Sequence, residues 1–90
     1  MRRIHAVVTG RVQGVSYRVS TQKKALKLGL TGWVRNLSSG DVEFEAQGSE
    51  IKVEQLLKWA RKGPFFAKVN NLSSSEMAAT ETDLTFRVRY

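Results

Sequence analysis

A loop bracketed by two glycines and closed by an arginine is the segment of this sequence best suited to chemistry. It reads TGRVQGVSYR, with Gly10 and Gly14 on either side of the loop and Arg18 just beyond it. Glycine lets the backbone curl around a ligand, and the N–H groups at the start of a helix attract anions such as phosphate. An arginine in the following turn binds the same anion with two parallel hydrogen bonds. The segment is therefore a candidate phosphate-binding site.

The place of Arg18 in the chain favours an anion as the ligand. A cation near the N-terminus of a helix is unfavourable by about 0.3–1 kcal/mol unless a negative charge offsets it. The loop does not match the nucleotide-binding motifs, because Gly14 is followed by Val15 rather than by the lysine of a Walker A loop. The third glycine of a dinucleotide-binding loop is also missing. On the loop alone, an ordinary turn between a strand and a helix with a surface arginine stays open as an alternative.

Alternating and helical patterns predict the elements around this loop. Residues 3–10 alternate as a strand, and residues 16–28 predict a helix that a glycine ends. Val19, Ala25 and Leu26 give this helix a thin apolar face. Residues 30–37 and 42–48 are typical of two further strands, with the turn SSGD between them.

A second helix and two more strands follow. Ser49 is a suitable N-cap for the helix, with Glu50 in its first turn. The predicted core face of this helix follows the i, i+3, i+4, i+7 spacing: Val53, Leu56, Leu57 and Ala60. A strand is expected around Val69, and another at residues 84–90, where apolar and polar residues alternate.

The order of elements predicts an α+β fold of the ferredoxin-like, split β-α-β class. The sequence β-α-β-β-α-β with an extra C-terminal strand gives an antiparallel sheet of four to five strands with two helices on one face. We expect a single domain over residues 1–90, because no linker or repeat interrupts the pattern. The strands before and after the first helix run in the same direction, so their carboxyl ends share one edge of the sheet. Asn36 should therefore lie beside the loop. Its side chain should point toward the helices, because Asn36 is two residues from the core residue Val34 and shares its face of the strand.

Four segments, in the same order, resemble the acylphosphatase family over nearly the whole chain. They are GRVQGVSYR, GLTGWVRNLSSGDVE, GPFFAKV and FRVRY. The resemblance implies hydrolysis of acyl phosphates at the carboxyl–phosphate bond to a carboxylate and inorganic phosphate, with no cofactor and no phosphoenzyme. It also implies that Arg18 is the phosphate-binding catalytic arginine and that Asn36 is the water-orienting asparagine. The loop backbone would supply the remaining phosphate contacts, from Val12, Gln13, Gly14, Val15, Ser16, Tyr17 and Arg18.

Two positions depart from the pattern usual in this family. Tyr17 stands where phenylalanine is common, a change that the edge of a core tolerates if the hydroxyl finds a partner. The turn SSGD replaces a common Asp-Gly pair. Neither departure touches Arg18 or Asn36.

Composition narrows the choice of partners. The 90 residues include 15 Lys and Arg against 8 Asp and Glu, and the formal net charge of +7 suits anionic partners. The chain has no cysteine, which excludes disulfides, thiolate metal sites and a cysteine nucleophile, and fits the cytoplasm. No apolar run is long enough to span a membrane. We expect a cytoplasmic monomer without a metal that acts on a small-molecule acyl phosphate and releases inorganic phosphate, with no membrane or nucleic-acid partner.

Two other functions fit the same order of elements. RNA-recognition domains share it and the chain is basic, but the exposed aromatic residues of their first and third strands are missing here. A domain that keeps the acylphosphatase fold only for binding or regulation is the second alternative. We predict an ordinary strand position for His5, packing in the core or at its edge for Trp33, and for Ser16 a helix cap or an anion contact. Glu43 and Glu45 are predicted neighbours on one sheet face, without further metal ligands.

Overall fold

The first strand lies inside the sheet, between two others, rather than at its edge. The computed structural model describes all 90 residues and contains five strands and two helices. These elements are β1 (Arg2–Arg11), α1 (Tyr17–Lys27), β2 (Thr31–Asn36), β3 (Val42–Gly48), α2 (Glu50–Ala60), β4 (Lys68–Met77) and β5 (Phe86–Arg89). They form one sheet in the order β4-β1-β3-β2-β5, with both helices packed on one face. The predicted ferredoxin-like α+β fold is confirmed. Neither helix is long and apolar enough to cross a membrane.

One hydrophobic core fills the space between the sheet and the helices. The strands β1 and β3 bury alternate residues in it, among them Ile4 and Phe44, while the residues between them face the open side of the sheet. The helix α2 buries the four positions predicted from its spacing: Val53, Leu56, Leu57 and Ala60. Ser49 caps α2 as predicted and accepts a hydrogen bond from the Lys52 N–H at 3.3 Å. Full burial of a side chain such as Leu56 contributes about 1.5–3 kcal/mol, which holds α2 on the sheet.

The buried face of α1 differs from the predicted one. Val19 and Leu26 are 41% and 47% exposed, and of the predicted face only Ala25 is buried. The helix instead buries Tyr17 and Thr21 in line with Ala25. The Thr21 hydroxyl donates to the Tyr17 carbonyl at 2.8 Å, and the Tyr17 hydroxyl donates to a carbonyl of α2 at 2.7 Å. The prediction from apolar spacing was wrong because hydroxyls that are hydrogen-bonded can face a core.

The sheet is mixed, and not wholly antiparallel as predicted. At one edge β4 pairs antiparallel with β1, and at the other edge β5 pairs parallel with β2. The strand β4 ends beside Arg3, at the end of the sheet where β2 begins. Residues 78–85 then cross to the far edge at that same end, so β5 starts level with the beginning of β2. A parallel last pair follows from this crossing.

Two side chains on the open face of the sheet anchor the crossing segment. Arg3 is only 3% exposed and binds Glu45 at 2.8 Å and Asp83 at 2.7 Å. Gln47 donates to the Thr80 carbonyl at 2.8 Å and accepts from the Thr80 N–H at 2.9 Å. Because these contacts hold the crossing segment in place, the carboxyl ends of β5 and β2 lie at the same end of the sheet.

Candidate active site

Residues with positive φ shape the end of β1 and the loop that leads from it to α1. Gly10 has a φ of 128° and passes so close to β4 that a Cβ would lie 2.2 Å from the Lys68 carbonyl oxygen. Gly14 has a φ of 75° with open space around it, so glycine serves only the backbone conformation there. Ser16, with a φ of 65°, is the only non-glycine residue in the left-handed region. Such a conformation costs about 1–3 kcal/mol and recurs at ligand-binding and catalytic sites.

The backbone N–H groups of this loop have no backbone partner. Residues 12–16 lie outside the strands and helices, and none of their N–H groups donates to a backbone carbonyl. The first N–H groups of α1 lack an intrahelical acceptor as well, as at the start of any helix. A run of free donors at the positive end of a helix is suited to bind an anion.

A cavity of about 260 Å³ opens beside the loop and brings most of the predicted site residues together. Its lining comes from the loop, the first turn of α1 and the end of β2: Val12, Gln13, Gly14, Ser16, Tyr17, Arg18, Val19 and Asn36. Of the residues predicted for the site, only Val15 lies outside this lining, and it packs against the core. Val19 lines the cavity although its spacing suggested a place in the core. The loop and Asn36 meet at one edge of the sheet, where the common direction of β1 and β2 puts them.

Arg18 has an unsatisfied group at this cavity. Its Nε is the only buried side-chain nitrogen or oxygen without a hydrogen-bond partner. Arg18 takes part in none of the ion pairs of the molecule. Its guanidinium carbon lies 4.6 Å from the ring centre of Tyr90, the residue after β5. An aromatic ring therefore steadies the arginine, while no acidic side chain neutralises its charge.

Asn36 is the last residue of β2, opposite Val42 of β3. Val34, two residues earlier, is fully buried beneath the helices. Side chains two residues apart on a strand point to the same side of the sheet. Asn36 accordingly reaches the cavity on the helix side, and Arg18 and the loop line the same cavity.

Gln13 makes a contact that the sequence did not predict. Its side-chain Nε2 donates to the carbonyl oxygens of Leu37 and Asp41, at 2.7 and 2.9 Å. These carbonyls belong to the turn between β2 and β3, directly after Asn36. From the sequence, only the backbone of Gln13 was assigned to the site. No residue pattern signals this contact, because both acceptors are backbone carbonyls.

Tyr17 lines the cavity and anchors the start of α1. It is 1% exposed, and its hydroxyl donates to the Ala60 carbonyl at 2.7 Å, which is the partner that a tyrosine at this position requires. Its ring centre lies 5.7 Å from that of Trp59. A Cβ on Gly63 would lie 2.7 Å from the ring, so this glycine leaves room for it. Burial raises the pKa of the Tyr17 phenol, which therefore stays neutral.

The other polar residues considered from the sequence lie on the open face of the sheet, outside the cavity lining. Glu43 binds His5 Nε2 and Arg35 Nε, each at 2.7 Å. Partial burial would raise the pKa of Glu43, but the hydrogen bonds from His5 and Arg35 outweigh it and hold the pKa below its usual value. Trp33 contacts the guanidinium groups of Arg35 and Arg89, with centroid distances of 5.4 and 4.8 Å. These contacts stabilise the strands that carry the site.

The fold and the cavity together define a small α+β protein with a cavity at a helix N-terminus, lined by one arginine and one asparagine among other residues. Residues 4–88 match the family model described as Acylphosphatase. The match extends over almost the whole chain, and the two segments that form the cavity lie inside it. The chain belongs to the acylphosphatase family.

Individual relatives agree with this assignment. The chain is 52% identical over 88 residues to an acylphosphatase of Methylococcus capsulatus, with 98% of this chain and 96% of the relative covered. It is 44% identical over 90 residues to an acylphosphatase of Marinobacter nauticus, with 100% and 98% covered. The crystal structure of acylphosphatase from Bacillus subtilis superposes with a TM-score of 0.95 at 36% identity, covering 100% of both chains. An acylphosphatase structure from Coxiella burnetii gives a TM-score of 0.93 at 45% identity, covering 98% of this chain and 92% of the other. Hydrolysis of acyl phosphates is the known activity of the family, and the chain is a hydrolase of this class.

Proposed function

We propose that the cavity between the β1–α1 loop and Asn36 is the active site, where the carboxyl–phosphate bond of an acyl phosphate is hydrolysed. The observation that carries this proposal is the convergence of unpartnered donors on one cavity. Arg18 Nε is buried there without any hydrogen-bond partner, and the N–H groups of residues 12–16, of which all but Val15 line the cavity, have no backbone acceptor. A buried donor without a partner costs free energy, and a bound phosphate oxygen would remove that cost.

Arg18 and the loop bind different oxygens of the phosphate group. The guanidinium offers two parallel N–H groups to two nonbridging oxygens, and the loop N–H groups bind the remaining oxygen acceptors. These donors are held by the fold before substrate arrives, so they need no reorganisation as charge develops on the phosphate. Preorganised donors of this kind are each worth about 10²–10³ in rate.

The leaving group explains why so few side chains suffice. An acyl phosphate releases a carboxylate, whose conjugate acid has a pKa of about 4. So weak a base leaves without being protonated, so no general acid is required at neutral pH. The remaining tasks are charge stabilisation and placement of the water, as expected for phosphoryl transfer.

Asn36 is assigned the placement of the water. Its side-chain carbonyl oxygen accepts a hydrogen bond from the water and aims it at phosphorus, in line with the bond to the acyl oxygen. The bond between water oxygen and phosphorus forms as the bond to the acyl oxygen breaks, and the carboxylate leaves with the electron pair. An amide is too weak a base to take the proton, so we assign its acceptance to the phosphate oxygens.

The site is complete within one chain, which supports a monomeric enzyme. The loop, α1, β2 and the residue after β5 supply its walls and the support of Arg18. The small lining has no separate pocket for an acyl group, which supports the acceptance of many acyl phosphates. The cytoplasmic location and the absence of a nucleic-acid partner stay predictions from the sequence.

Inorganic phosphate tests the location of the site. We expect it to inhibit hydrolysis of benzoyl phosphate competitively and to shift the backbone amide signals of residues 12–18 in a heteronuclear NMR titration. The Arg18→Gln variant should lose most of these shifts, while the rest of its spectrum still shows a folded protein. Shifts confined to the open face of the sheet, around Glu43 and Trp33, would place the phosphate site elsewhere.

A further inference from the structure

Gln13 joins the two halves of the proposed site. Its backbone belongs to the loop, and its side-chain Nε2 donates to the Leu37 and Asp41 carbonyls at 2.7 and 2.9 Å. No other hydrogen bond links residues 12–16 with residues 36–41. The preceding residue, Val12, is 1% exposed and fixes the backbone of this part of the loop in the core.

The two acceptors control the end of β2. The Leu37 N–H donates to the Asp41 carbonyl at 2.8 Å, and the Gly40 N–H donates to the Leu37 carbonyl at 3.1 Å. The Gln13 amide binds both carbonyls of this turn at once. Because Leu37 directly follows Asn36, the contact fixes Asn36 relative to the loop.

We propose that Gln13 is a positioning residue whose side chain sets the distance between the phosphate-binding loop and Asn36. This role rests on the proposed function of the site, and it is separate from the role of the Gln13 N–H. A side-chain amide nitrogen carries two hydrogens, and here two carbonyls accept them. The amide nitrogen has no hydrogen left for a phosphate oxygen. Gln13 therefore acts on the reaction through Asn36 and the water, not as a phosphate ligand.

Loss of the contact should lower turnover without weakening phosphate binding. A misplacement of about 1 Å at a reacting group costs up to about 10²-fold in rate. For Gln13→Met, which has similar length and no donor, we expect kcat to fall by about 10- to 100-fold. The inhibition constant of inorganic phosphate should stay within about twofold, because Arg18 and the loop N–H groups are unchanged.

Two further variants control for folding and for loss of any buried glutamine. Gln13→Asn keeps the amide but is one methylene shorter, so it should also lower kcat even if Gln13→Met folds poorly. Gln47→Met removes a similar glutamine–carbonyl hydrogen bond, 2.8 Å long, at the opposite end of the sheet. We expect Gln47→Met to lower the melting temperature and to change kcat far less than Gln13→Met does, because Gln47 reaches the site only through the crossing segment and β5.

A double-mutant cycle with Asn36→Ala decides whether Gln13 acts through Asn36. We expect Gln13→Met to lower kcat in the wild type but to have almost no further effect when Asn36 is already alanine. Multiplicative losses in the double variant would overturn the inference and leave the role of Asn36 intact. A parallel loss of phosphate affinity in Gln13→Met would make Gln13 a phosphate ligand instead. Full activity of Asn36→Ala would overturn the proposed role of Asn36 and the role of Gln13 with it.

Discussion

The guanidinium carbon of Arg18 lies 4.6 Å from the ring centre of Tyr90. Tyr90 follows β5. This strand runs parallel to β2 because residues 78–85 cross the sheet before β5 begins, so Tyr90 lies near the carboxyl end of β2. The ring steadies the cation without cancelling its charge, which a carboxylate in the same place would do. The last strand of the sheet therefore brings an aromatic ring to the arginine of the proposed phosphate site, near the other end of the chain.

Removing the Tyr90 ring should weaken phosphate binding modestly. A cation–π contact at an exposed position is worth about 0.5–1 kcal/mol, which corresponds to about a two- to fivefold change in affinity. We expect this loss in Tyr90→Ala and near wild-type affinity in Tyr90→Phe, which keeps the ring. The inhibition constant of inorganic phosphate measures both. Equal constants in Tyr90→Ala and the wild type would show that the ring does not support Arg18.

The two glycines of the loop should respond differently to alanine. In Gly10→Ala the new Cβ meets the Lys68 carbonyl, so we expect a loss of at least about 2 kcal/mol of unfolding free energy. In Gly14→Ala there is room for the methyl group, and only the left-handed conformation, costing about 1–2 kcal/mol, opposes it. The loop can relieve that strain by relaxing, so phosphate affinity should fall by up to about tenfold while most of the stability remains. Chemical denaturation and phosphate inhibition measure the two effects, and a stable Gly10→Ala variant would contradict the close approach to β4.

Tyr17 should make stability fall at alkaline pH. Burial raises the pKa of its phenol above the unfolded value of about 10. Below about pH 10 the phenol is protonated in both the folded and the unfolded protein, and the stabilisation is complete. Above this pH the unfolded protein releases the proton while the folded protein keeps it. Stability therefore falls as pH rises. Urea unfolding between about pH 9 and pH 11 should show a shallower decline for Tyr17→Phe than for the wild type. Parallel declines would mean that the phenol ionises equally in both states.

Glu43 should stabilise the protein at neutral pH and lose that effect in acid. Its pKa is held below the unfolded value of about 4.3, so the stabilisation is present above that pH and disappears as pH falls through the folded pKa. We expect Glu43→Gln to lower the unfolding free energy by about 1–2 kcal/mol at neutral pH and by less in acid. Its kcat should match the wild type, because Glu43 does not line the cavity. A large loss of kcat in a folded Glu43→Gln would connect the open face to the reaction.

The sequence was enough to predict that the loop, Arg18 and Asn36 lie together. The loop and Arg18 are neighbours in the sequence, and the order of strands and helices determines where β2 ends. Gly10 near the end of β1 and Gly14 in the loop both have a positive φ, and the common direction of β1 and β2 brings Asn36 to the same end of the sheet. The core face of α2 was equally accessible, because its apolar spacing is complete.

The contacts that hold these residues in place could not be predicted from the sequence. Gln13 binds backbone carbonyls, which every residue carries, so no residue type marks the pairing. Tyr90 reaches Arg18 only because β5 pairs parallel with β2, and that pairing depends on where Arg3 and Gln47 hold the crossing segment. The face of α1 was mispredicted because Thr21 satisfies its hydroxyl inside the helix.

Phosphate release from benzoyl phosphate by the wild type and by Arg18→Gln tests most directly that Arg18 and the loop form the catalytic phosphate site. We predict turnover by the wild type and a fall in kcat/KM of at least about 10²–10³-fold in Arg18→Gln, with the fold retained by circular dichroism. Arg11→Gln is the matched control, since Arg11 is an exposed arginine outside the cavity lining, and it should keep most of the activity. No turnover by the folded wild type, or full activity in Arg18→Gln, would contradict the assignment.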